Sequence, residues 1–173
     1  MEHLHVMQLT MRKVLSDFAF WLHRYLAGKT DNQICTSYVL ERLLIIPDDI
    51  AAVFANYIPE QTAIEISSRA AAHIDLATAL HNAQKNADSI KIDEYIQKLY
   101  AHAAETADFF ENLNPNYFQA EFRPLLDMHV DLIRALISSR LCGEYKKEIV
   151  IFDALHHNIL NLADFLVQGF VVD

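Results

Sequence analysis

Four histidines carry the chemistry open to this chain: His73, His102, His129 and His156. Each falls in an apolar stripe at helical spacing. His73 sits with Ile66, Ala70, Ala77 and Leu80, and His129 with Phe122, Leu126, Ile133 and Leu136. His102 sits with Ile92, Leu99, Thr106 and Phe110, and His156 with Phe152, Leu155, Ile159 and Leu162. A helix that turns an imidazole toward a core desolvates it, which keeps it neutral and leaves a nitrogen lone pair for a transition metal. Oxygen ligands stand three residues away on the same helices: Glu105 after His102, and Asp153 before His156. That spacing lets a carboxylate and an imidazole share one ion. The expectation is a His-rich layer holding iron, zinc or manganese through His73, His102, His129, His156, Glu105 and Asp153. The plainer reading of the same rings is a set of core histidines, each bonded to a backbone carbonyl or a carboxylate. The di-iron bundle pattern, with Glu-x-x-His on each of two helices, does not occur; Asp153-x-x-His156 and the reversed His102-x-x-Glu105 come nearest.

An internal repeat places these residues. ISSRAAAHIDLATAL at 66–80 and FRPLLDMHVDLIRAL at 122–136 align at a constant offset of 56 residues, His73 on His129. The same offset sets Lys91 on Lys147 and Ala107-Asp108-Phe109 on Ala163-Asp164-Phe165. Two copies of a helical hairpin, about 60–113 and 116–170, account for this register. Agreement between two amphipathic helices that both need Leu and Ala on one face is the alternative. Within each hairpin, counting equal distances from the turn puts His73 level with His102, and His129 level with His156 and His157.

The elements that carry the layer follow from apolar spacing and stop signals. Helices are expected over 4–28, 31–44, 48–56, 60–86, 89–113, 116–142 and 144–170. Gly28 is expected to end the first, Asp31 to cap the second and Asp88 to cap the fifth, with Gly143 ending the sixth. Pro47 opens the third helix, with Asp48 and Asp49 near its positive end. Pro124 either marks the start of the sixth or bends it. The result is one all-α domain over 1–173, an up-down bundle of two duplicated hairpins with an N-terminal helix alongside.

Composition agrees. In 173 residues, apolar types make up 53%, while Gly (3) and Pro (4) are scarce, which favours long helices with short connections. The net charge of −9 argues against binding nucleic acid or an anionic membrane surface. No signal-peptide shape opens the chain, and the apolar tail from Ile159 to Val172 is interrupted by Asn161, Asp164 and Gln168. A cytoplasmic protein is expected, with Cys35 and Cys142 as reduced, packed thiols. No GxGxxG, GxxxxGK[ST] or GxSxG is present, so nucleotide and serine-hydrolase chemistry find no support, and no residue is assigned a catalytic role. A non-catalytic scaffold that forms a homodimer through exposed apolar helix faces is the rival to metal binding. A small-molecule pocket among Trp21, Tyr25 and Phe109 is a third reading.

Several short motifs carry a family resemblance: Phe20-Trp21 with Arg24, Arg42-Leu43-Leu44 before Pro47-x-Asp49, His73, Tyr100, Phe109, Asn114-Pro115-Asn116-Tyr117, His129, Gly143-x-Tyr145, Phe152-Asp153, Ala163-Asp164 and Gly169-Phe170. Over almost its whole length the chain resembles a family of small bacterial helical proteins common in spore-forming Firmicutes. Some of its members carry labels such as acetylglutamate kinase or glycosyltransferase. The resemblance implies a helical bundle, distantly ferritin-like, and implies no reaction. Phe18, His156 and Asn158 depart from the family pattern, which tends to a His on the first helix and acids on the last. Any family metal site would have an altered ligand set here.

Overall fold

The computed structural model describes residues 2–170, and the last of the apolar tail, 171–173, lies outside them. Among the described residues there are seven helices and no strand. They are α1 (Glu2–Asp31), α2 (Thr36–Leu43), α3 (Ile46–Phe54), α4 (Glu60–Lys85), α5 (Ser89–Leu113), α6 (Gln119–Leu141) and α7 (Tyr145–Gln168). Two antiparallel hairpins, α4/α5 and α6/α7, meet along α5 and α6. Helix α1 lies against α7, and α3 bridges α1 to α4. One apolar core runs through all of them, from Met11 and Leu22 to Leu80, Leu99, Ile133 and Leu155. Of the described helices, α7 alone is long and apolar enough to cross a membrane by length and composition; here it packs into the bundle beside α1 and α6.

The two hairpin connections repeat atom for atom in their hydrogen bonding at the offset of 56. Asp88 N–H donates to the Ala83 carbonyl (3.0 Å), and Glu144 N–H to that of Ser139 (2.8 Å). Ala87 N–H donates to Gln84 and Gly143 N–H to Arg140, both at 3.1 Å. This is the helix-ending motif that needs one left-handed residue, and Ala87 (φ 52°) and Gly143 (φ 71°) supply it. Lys91 pairs with Asp88 (3.3 Å) as Lys147 pairs with Glu144 (2.8 Å).

The first helix departs from expectation at its end. It continues three residues past Gly28, and Asn32 (φ 53°) takes the left-handed place, its successor Gln33 donating N–H to the Gly28 carbonyl at 2.9 Å. Gly28 is needed for a different reason: a Cβ there would stand 2.7 Å from Thr36 Oγ1. Asp31 does not cap α2, whose N-cap is Cys35 without a side-chain bond. It pairs instead with Arg140, tying α1 to the end of α6. Asp88 does cap α5, accepting from Lys91 N–H at 3.1 Å. Pro124 lies inside α6, which starts five residues earlier. Both cysteines are exposed and free, not packed, because Cys35 caps a short helix and Cys142 ends one at the surface.

Candidate functional site

The core helices position three of the four predicted histidines together. His73 and His129 face each other Nε2 to Nε2 at 3.2 Å, with ring centroids 4.9 Å apart. His102 lies beside His73, its ring centroid 6.1 Å away. All three line a chamber of about 130 Å³ between α1, α3, α4, α5, α6 and α7. Most of its wall is aliphatic or aromatic, including Leu15, Phe18, Leu99, Phe110, Phe122 and Ile159. The polar lining groups, Arg69, His73, His102, Thr106 and His129, come from α4, α5 and α6. The half-buried lining residues (Arg69, Ala70, His73, His102, Thr106 and Leu126) all belong to α4, α5 and α6, so the chamber opens between those helices.

Burial sets the protonation of these rings. Desolvation holds His73 well below the ordinary histidine range, and the neighbouring His129 and His102 add to the effect. His129 is lowered to about 4 by burial, with Asn158 favouring the protonated ring in the opposite sense. His102 is lowered by burial and by the nearby Arg69 charge. The trio is therefore neutral at pH 7. Two facing Nε2 atoms then need one proton between them. Asn158 Nδ2 donates to the Leu125 carbonyl (3.0 Å), while its Oδ1 and the Nδ1 of His129 are both buried without a hydrogen-bond partner.

The other predicted ligands lie elsewhere. His156 is exposed and bonds Ser16 Oγ at 3.1 Å. Asp153 and Glu105 are exposed as well. The residue level with His129 is Asn158, and His156 precedes it by two, which is about 200° around a helix and so the opposite face. The repeat itself held the signal: Asn158 is His102 plus 56, so the offset relates His73 to His129 and His102 to Asn158, of which the three histidines line the chamber. Among the described residues no group of three or more His, Cys, Asp or Glu side chains is gathered closely enough to hold a metal ion. Trp21, Tyr25 and Phe109 do not line the chamber. Phe109 instead lies under the Arg69 guanidinium, 4.5 Å from its centroid.

A second polar cluster, near the turn end of the bundle, escaped the sequence reading. Glu148 is buried (3% exposed), accepts from Arg140 Nη1 at 3.0 Å, and meets His23 Nε2 at 2.6 Å. His23 also stacks on Phe152, with centroids 4.7 Å apart. Nearby His81 is fully buried, bonded to Thr30 Oγ1 at 2.8 Å, and lowered by desolvation to about 4. Glu148 falls on the first turn of α7, where a carboxylate reads as a solvated helix-end charge; only the fold reveals that α1 and α6 cover it. Comparison with protein-family models, with curated proteins and with solved structures gives no match to this chain, so what it resembles stays an expectation from its motifs.

Proposed function

We propose that the protein binds a small, largely apolar molecule inside the bundle, its polar end against the imidazoles of His73, His102 and His129. The observation that carries this is the chamber itself: about 130 Å³ with mostly apolar walls and a few polar groups, all from α4, α5 and α6. An apolar cavity of about 150 Å³ is large enough to take benzene. A pocket of this kind, mostly apolar with a few convergent polar groups, is the ordinary form of a small-ligand site. The test is a ¹H–¹⁵N NMR titration with toluene. Shifts confined to chamber residues, lost when Ala103→Leu fills the space, support the reading. A spectrum unmoved at saturating toluene and at saturating benzoate rejects it.

A second reading, transition-metal binding, is favoured by one distance. Two imidazoles on a tetrahedral ion at roughly 2.0–2.1 Å hold their nitrogens about 3.3 Å apart, close to the 3.2 Å between His73 and His129. Neutral rings with Asn158 behind one of them suit a metal ligand and its supporting partner. Exogenous groups would complete the coordination. Metal content of untagged protein, measured by mass spectrometry, checks it. About one equivalent of iron, zinc or manganese, absent from the His73→Gln/His129→Gln protein, supports the reading; none after reconstitution defeats it.

A further inference from the structure

Charge within the chamber runs against the charge of the chain. The protein carries 23 acidic and 14 basic side chains, yet no Asp or Glu lines the chamber, and Arg69 does. The guanidinium is held from outside on two of its three nitrogens. Nη2 bonds Glu65 at 2.7 Å, and Nη1 donates to the Glu105 carbonyl at 3.3 Å. Phe109 supports its face. The remaining Nε–H is buried and has no partner in the protein. Thr106 Oγ1, also on the chamber wall, is likewise buried without one. A buried donor left unpaired is costly, so two of them lining one chamber with His102 mark where an acceptor belongs.

We infer that the chamber's ligand is a small monocarboxylic acid, its apolar body among the chamber's aliphatic and aromatic side chains and its carboxylate on Arg69 Nε, Thr106 Oγ1 and His102. This rests on the reading of the chamber as a ligand site and adds its chemical class. The body is about the size of a benzene ring, which the volume of about 130 Å³ allows. The acid end lies at the half-buried residues of the opening between α4, α5 and α6, so the ligand enters body first and its charge is never carried through the apolar interior.

Benzoate and toluene separate the two claims, since they share a body and differ in the acid. Both are titrated into the full-length protein by NMR, before and after chelator treatment, which removes any metal contribution. Benzoate should bind at least tenfold more tightly than toluene. Arg69→Met should cost benzoate tenfold or more and leave toluene unchanged, and the near-isosteric Thr106→Val should weaken benzoate alone. Toluene binding as well as benzoate, or benzoate indifferent to Arg69→Met, overturns the inference while leaving the ligand site standing. Binding of neither overturns both.

Discussion

His73 and His129 occupy the same place in two successive helical hairpins and touch through Nε2 at 3.2 Å. A contact between equivalent residues forms only if both hairpins turn that position inward at the same height. It also brings together two bases that cannot both be charged, and acid should expose this.

His73, His81, His102 and His129 are all lowered from the ordinary histidine pKa of 6.5, His81 and His129 to about 4. Below 6.5 the unfolded chain takes up protons that the folded one refuses, so stability rises with pH across this window and falls as pH drops from 6.5 toward 4. His81 and His129 should each withdraw on the order of 3 kcal/mol by its lower end. Urea midpoints at pH 7, 5.5 and 4.5 should fall steadily, and His81→Gln should flatten the slope. A pH-independent midpoint would show that these rings are not held neutral.

Filling the chamber should stabilise the bundle as it removes the proposed ligand site. Ala103 is buried on the chamber wall, and Ala103→Leu should raise stability by about 0.5–2 kcal/mol, as cavity-filling changes commonly do. Thermal denaturation checks the gain, and the toluene titration checks the loss.

The buried carboxylate of Glu148 needs its cation. Arg140→Met leaves the acid 3% exposed with His23 as its remaining partner, and should destabilise by about 3–5 kcal/mol. Glu148→Leu added to Arg140→Met should restore most of that. A double-mutant cycle without coupling would reduce the cluster to surface decoration.

The matched connections call for opposite substitutions. Ala87 sits at φ 52°, where an L residue is strained, so Ala87→Gly should stabilise by about 1 kcal/mol. At Gly143, φ 71°, Gly143→Ala should destabilise by a similar amount, about 1 kcal/mol. Nothing crowds the Gly143 position, so backbone conformation alone sets the effect.

Period-3.6 patterning made the helices and their hairpin order legible, because it follows directly from which faces are buried. Helix ends were less so. Gly28 looked like a stop, yet its bareness serves Thr36, and Asp31 looked like a cap, yet its partner lies 109 residues away. Counting from a turn located His102 opposite His73 but named His156 where Asn158 stands. An error of two residues is small in sequence and reverses the face of a helix. Glu148 and His81 were invisible because their burial depends on helices distant in the chain.

The exchange of one imidazole for an amide, His102 in the first hairpin against Asn158 in the second, breaks the symmetry that the repeat would otherwise impose. His102 lines the chamber, whereas Asn158 does not and turns its Nδ2 to the Leu125 carbonyl. Two hairpins that superpose in register and in their connections therefore enclose a space whose two halves differ in chemistry.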